Sequence, residues 1–240
     1  LSPEHLQDYT QMEFYWAYAS NEDGMKLVQE MYTFVVQKTF GTKKFHIKDF
    51  DVDFDQPWRK IDYAAEILEK TKIDIFHTSL SEVQAVLKKL SVPFDKTLNE
   101  VRGIDLLWKY CRKQIAGPGF LVHVPVFMSP LAKRSPKDPE IALQFQPIIA
   151  GSELGKGYSE LNDPLDQAER FAEQAALRAA GDVEAQMPDA DFVEALEHGM
   201  PPTTGFGVSE RLFAFLVDKP VREAVFFPLL RPKKTDTESE

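Results

Sequence analysis

Residues 8–19 of this chain alternate. Met12, Phe14, Trp16 and Tyr18 fall on one side, and Tyr9, Gln11, Glu13 and Tyr15 on the other. Successive Cβ atoms of a strand point to opposite faces of a sheet, so this period of two predicts a strand, with the Met12–Tyr18 row buried. The second row is unusual because it sets tyrosines beside a carboxylate. It reads either as a decorated outer face or as a row that binds an amine, Glu13 giving charge and Tyr15 a hydroxyl. A strand needs partners, and the rest of the chain must supply a sheet.

The pattern then turns helical. Asn21 is the expected N-cap of a helix that Gly41 ends, with Glu22 and Asp23 at its positive end and a stripe of Met25, Val28, Tyr32 and Val36 turned inward. Residues 42–78 read as short extended pieces plus a helix near 62–70. Two more helical stripes follow, ended by Pro93 and by Gly117-Pro118. Cys111 lies on the second stripe and reads as a small buried hydrophobe. His46, His77 and His123 lack metal-ligand spacing. Strands are expected over Phe120–Phe127 and Ala142–Ile149, and a helix from Pro164 to Ala180 capped by Asp163. Strands at both ends and helices between them predict an α+β domain over 1–232, a mainly antiparallel sheet with packed helices. Residues 42–117 are expected to form a helical insertion within it, and 233–240 a disordered tail.

Two segments carry polar chemistry. Gly151-Ser152-Glu153-Leu154-Gly155-Lys156-Gly157-Tyr158-Ser159-Glu160-Leu161-Asn162-Asp163 places two glutamates and an asparagine among three glycines. It serves equally as a solvated hairpin or as a site for a cation or an amine. Asp163 and Asp166 have a sufficient role in starting the next helix. Gly205-Phe206-Gly207-Val208-Ser209-Glu210-Arg211 is glycine-rich backbone leading into an apolar helix, which allows close approach of a ligand with Arg211 in reach of a phosphate. It is neither a P-loop nor a dinucleotide fingerprint.

Composition limits the function classes. With 28 basic and 38 acidic residues the net charge is −10, a poor basis for general nucleic-acid binding. No apolar run approaches the roughly 18–20 residues of a membrane span, and Leu1-Ser2-Pro3-Glu4-His5 has no signal-peptide character. A single cysteine fits a reducing, cytoplasmic setting.

Three separated segments together resemble class II lysyl-tRNA synthetases. Tyr9-Thr10-Gln11-Met12-Glu13-Phe14-Tyr15-Trp16-Ala17-Tyr18 resembles the second strand of motif 2. Glu153 to Asp163, with the helix after it, resembles the paired-glutamate segment. Gly205 to Arg211 and then Phe227-Pro228-Leu229-Leu230-Arg231-Pro232 resemble motif 3 and the C-terminal ending. The resemblance covers nearly the whole chain and is weakest across 42–117. It implies a six-stranded antiparallel catalytic sheet that activates lysine with ATP and passes the lysyl group to tRNA(Lys), with Mg2+ as cofactor and a homodimer in the full-length protein. It implies that His5, Tyr9, Glu153, Glu160 and Arg211 bind ATP, with Tyr9 stacking on adenine and Arg211, the catalytic residue, on the γ-phosphate. Glu153 and Glu160 would hold the metal, and Glu13, Tyr15, Asn162 and Asp166 the lysine.

The resemblance has departures. The family's arginine strand for the α-phosphate, its motif 1 helix and its anticodon-binding barrel have no counterpart in this sequence, so the chain alone is expected to be inactive. The alternatives are a truncated non-catalytic paralogue that binds nucleotide or amino acid, and a lysine-activating enzyme that modifies a protein acceptor. A geometric condition also follows. A straight strand would put Glu153 and Glu160 about 23 Å apart and on opposite faces, so they share a metal only if Gly155-Lys156-Gly157 bends the chain.

Overall fold

The computed structural model describes residues 5–182 and 185–229. The expected tail over 233–240, the ending Leu230-Arg231-Pro232 and the start at 1–4 lie outside the described residues.

The chain opens with β1 (Gln11–Ala17) and α1 (Asn21–Phe40), followed by a hairpin of β2 (Lys44–Ile47) and β3 (Phe50–Asp53) and by β4 (Arg59–Asp62). Three helices follow, α2 (Tyr63–Thr71), α3 (Leu80–Lys89) and α4 (Glu100–Arg112), then β5 (Gly119–Val122), β6 (Gln144–Ile149), β7 (Ser152–Glu153) and β8 (Lys156–Ser159). The last part holds α5 (Pro164–Ala179), α6 (Ala190–Glu197), β9 (Thr203–Ser209) and α7 (Arg211–Leu216). Among the described residues seven strands make one sheet in the order β1-β9-β8-β6-β5-β4, with β7 also paired to β6. All pairings are antiparallel except β4 with β5, which is parallel. The mixed, mainly antiparallel architecture is thus as expected, with one more strand than the six the resemblance implies. Among the described residues no helix is long and apolar enough to cross a membrane.

Local chemistry sets the element ends. The α1 N-cap is Ser20 rather than Asn21: Ser20 Oγ accepts from Asp23 N and the Asp23 carboxylate accepts from Ser20 N at 2.8 Å. That reciprocal box needs an acid three residues after the cap, and from Asn21 the third residue is Gly24. Gly41, at φ +70°, ends α1. Asp163 caps α5 through Leu165 N and Asp166 N, with Pro164 at the first position.

The sheet is covered unequally. On one face Phe120, Val122, Phe145, Ile149 and Phe206 pack against α1, the β2–β3 hairpin and α7. On the other face Ile61, Leu121 and Ile148 pack against α2, α3 and α4. Residues 42–117 are therefore seated on the sheet, with β4 one of its strands and its helices closing a core shared with β5 and β6. That helical cover lies at the β4–β5–β6 end, and the same face over β8, β9 and β1 is left open.

The expected burial of β1 is corrected. Only Phe14 is partly buried, 6.0 Å from the Phe206 ring, while Met12 is 41% exposed, Trp16 44% and Tyr18 84%. Among the described residues β1 pairs only with β9, so it is a border strand whose apolar row reaches the core at one position. Alternation reports the face correctly but not how far the core extends beneath it.

Candidate active site

The open half of the sheet is a trench with a glycine floor. In register, Tyr15 of β1 and Tyr158 of β8 flank Gly205 of β9, and Glu13 and Lys156 flank Gly207. Directly opposed residues of antiparallel strands share a face, so two rows of side chains rise on either side of a strand that has none there. A Cβ on Gly205 would collide with Glu160 Oε1 and stand 3.2 Å from the Tyr15 ring, and one on Gly207 would meet Gln11 Nε2 at 2.9 Å. Glycine is the residue that leaves this space for a ligand. The result is a cavity of about 490 Å³, the size of a small-molecule site.

One end of the trench is acidic. Glu160 is pushed up to about 7, first by burial and then by the nearby Glu13 carboxylate. Tyr15 is raised by burial and by Glu13 and Glu160, and Tyr158 is raised well beyond the ordinary phenol, again mainly by burial. Gln11 donates its side-chain amide to Glu13 Oε1. Two carboxylates and two phenols crowded into a partly dry space favour whatever brings positive charge, and an ammonium or a metal cation would relieve them.

The other end is built on a β-bulge. Ile148 pairs with Glu153 and Gln144 with Tyr158, so four steps along β6 face five along β7 and β8. The extra residue falls at Leu154-Gly155, where Gly155 takes φ +111° and a Cβ would lie 2.5 Å from the Phe206 ring. Pro147, which has no N–H, sits opposite and accepts from Leu154 N at 2.9 Å, and Tyr32 donates its hydroxyl to Leu154 O. Because strand faces alternate, one extra residue returns Glu153 to the face of Lys156, Tyr158 and Glu160. The bend required from the sequence is present, and Glu153 and Glu160 both line the cavity.

Arg211 enters from the first turn of α7 and donates to Glu153 O. The Glu153 carboxylate meets α4, with Trp108 Nε1 donating to its Oε1 at 2.5 Å and Arg112 Nε 3.8 Å away. His5 and Tyr9 line the same cavity, Tyr9 with 64% of its surface exposed. Among the described residues no group of three or more His, Cys, Asp or Glu could hold a metal. The carboxylates still suit a hard cation of the magnesium kind, which takes oxygen ligands and commonly uses one or two carboxylates together with a substrate's phosphates.

Asn162 and Asp166 are placed elsewhere. Asn162 accepts from Lys133 Nζ at 2.8 Å and donates to Met200 O at 3.0 Å. Asp166 is ion-paired to Arg134 at 3.1 Å and to the buried Arg170 at 2.9 Å, and Arg170 also donates to Ser129 O and Ala132 O. Burial acts to raise Asp166, but hydrogen bonds from the two arginines outweigh it and hold the acid below its ordinary range. Neither residue lines the cavity. Sequence reading also missed Gln11, Lys156 and Tyr158, whose place on the trench face follows from period two, and Trp108, whose apolar stripe conceals a polar contact.

Residues 2–231 match the sequence profile of tRNA synthetases class II (D, K and N). The chain is 43% identical to the lysine–tRNA ligase of Thermosipho africanus over 97% of its own length and 46% of that protein's. It is 40% identical to the lysine–tRNA ligase of Thermotoga maritima, over 99% of this chain and 48% of that protein, and 36% identical to that of Aquifex aeolicus, over 98% and 40%. The chain spans about half the length of the curated relatives it matches.

Proposed function

The chain belongs to the class II tRNA synthetases (D, K and N), and we propose that it is the C-terminal part of the catalytic domain of a lysine–tRNA ligase. Its reaction joins lysine to ATP, giving lysyl-adenylate and pyrophosphate, and then transfers the lysyl group to tRNA(Lys). The observation that carries this reading is the two-ended trench. An acid and hydroxyl cluster around the partly buried Glu160 lies at one end, and Glu153 with Arg211 at the other.

In this reading Glu13 and Tyr15, which line the cavity, receive the lysine ammonium, Glu13 giving charge and Tyr15 a hydroxyl. Tyr9 stacks on adenine, His5 contacts the nucleotide, and Arg211 grips the γ-phosphate as the catalytic cation. Glu153 and Glu160 are the carboxylates offered to magnesium, which when bound neutralises phosphate charge. Glu160 stands beside Glu13 and Tyr15, so its charge serves the ammonium as well. Asn162 and Asp166 support lysine binding from outside the cavity, by holding Lys133 and Arg170 and through them the segment against the end of β8. The partners are lysine, ATP and tRNA(Lys), with a homodimer in the full-length protein and a cytoplasmic location.

Calorimetric titration of the chain with lysine and with norleucine, which lacks only the side-chain amine, tests the reading. Lysine is expected to bind, and norleucine at least roughly a hundredfold more weakly, because it leaves charged partners unpaired. Equal binding, or none by lysine, would overturn it.

A further inference from the structure

One side chain of the trench is held from outside it. The turn before Glu153 is tied to the chain just after α4: Ala150 N donates to Ala116 O at 2.6 Å and Gly151 N to Ile115 O at 2.8 Å. Arg112, in the last turn of α4, donates to Gly151 O. One helical turn earlier Trp108, only 2% exposed, packs its ring 5.1 Å from Tyr63 and aims Nε1 at Glu153 Oε1, 2.5 Å away. Arg112 Nε is buried with no hydrogen-bond partner, and it lies 3.8 Å from the same oxygen. Both groups converge on Oε1. Neither contact uses Oε2, and Glu153 lines the cavity.

The geometry points to Trp108 and Arg112 as positioning residues for the nucleotide end of the site. The helical region 63–112 thereby orients the carboxylate by which Glu153 meets a metal-bound polyphosphate. This rests on the proposed lysine–tRNA ligase reading, since it assigns Glu153 a ligand. An apolar stripe would use any large hydrophobe at Trp108. What the indole adds to the stripe is an N–H, and its acceptor is Glu153 Oε1. Partners that orient a ligating carboxylate act on metal affinity while touching neither metal nor substrate, and their loss typically weakens it by roughly ten- to a hundredfold.

The experiment measures ATP affinity of the chain with Mn2+ and without it, and counts bound Mn2+ by electron paramagnetic resonance. Trp108→Phe keeps the ring and removes the N–H. It is expected to weaken Mn2+-dependent ATP binding by roughly tenfold or more, while metal-free ATP binding and lysine binding stay as in the parent. Arg112→Gln is expected to act in the same direction by a smaller factor, which keeps the test open if Trp108→Phe folds poorly. In a Glu153→Gln background, Trp108→Phe should add nothing, because its effect passes through that carboxylate. An unchanged Mn2+ dependence in both variants would overturn the inference, as would a Trp108→Phe loss that persists in full beside Glu153→Gln. A parent chain that binds no Mn2+ with ATP would remove the ligase reading, and the inference with it.

Discussion

One face of the sheet serves two purposes. Over β4, β5 and β6 it offers Ile61, Leu121 and Ile148 to three helices and is closed by them. Over β8, β9 and β1 it offers glycines between rows of glutamate, tyrosine and lysine, and stays open. Both halves belong to one hydrogen-bonded sheet, and the side chains it offers decide which becomes core and which becomes site. Glu153 lies at the seam, with its carboxylate against α4 and its strand in the trench.

The contrast can be broken by exchanging one half's character for the other's. Leu107 is fully buried under the closed half, and Leu107→Ala should cost about 2–5 kcal/mol of stability. Denaturant unfolding would show this as a lower midpoint, while the lysine affinity of the folded fraction stays as in the parent. In the open half the effects should reverse. Gly205→Ala puts a methyl against Glu160 and Tyr15, in the space the glycine floor leaves open, and should weaken lysine binding, read by calorimetry. Glu13→Gln should weaken lysine binding by about 1.5–3 kcal/mol, the worth of a hydrogen bond to a charged group. Its unfolding midpoint should stay close to the parent's, because Glu13 is exposed in the folded chain. A Glu13→Gln variant that loses stability but not lysine affinity would place the residue in the fold rather than the site.

A smaller effect depends on pH. Glu160 titrates at about 7 in the folded chain against an ordinary value of 4.5, so the folded state holds a proton that the unfolded state releases earlier. Stability from this group is present in full below pH 4.5 and is lost as pH rises toward 7. The parent should therefore lose stability relative to Glu160→Gln across that window, and parallel profiles would remove Glu160 from the acid and hydroxyl cluster. The least effect is on chemistry: Cys111, buried with its thiol pushed up to about 11, should resist thiol reagents at pH 8 until the chain unfolds.

The two halves were also unequally legible in sequence. Local signals placed the helices well, since caps such as Asp163 and breakers such as Gly41 act within a few residues. The apolar run Phe120-Leu121-Val122 is a strand buried on both faces. The site was harder to read. Parity puts Glu153 and Glu160 on opposite faces, and only a bulge at Gly155 returns them to one face, a condition the glycines suggest without fixing it. The hold of Trp108 on Glu153 joins residues 45 apart in sequence and leaves no trace in periodicity. The row of Met12, Trp16 and Tyr18 shows the converse failure: alternation identified a face, but burial depends on what lies beyond the last strand. Asp166 reads equally as a helix-start acid and a pocket acid, and its two arginine partners come from distant turns and one helical turn ahead.

The most direct measurement is a crystal structure of the chain grown with lysine and a non-hydrolysable ATP analogue. The lysine ammonium is expected within hydrogen-bond distance of Glu13 and Tyr15, with the adenine against Tyr9 and the terminal phosphate near Arg211. Ligand bound away from the glycine-floored trench, or a lysine turned so that its ammonium meets neither Glu13 nor Tyr15, would contradict the proposed function.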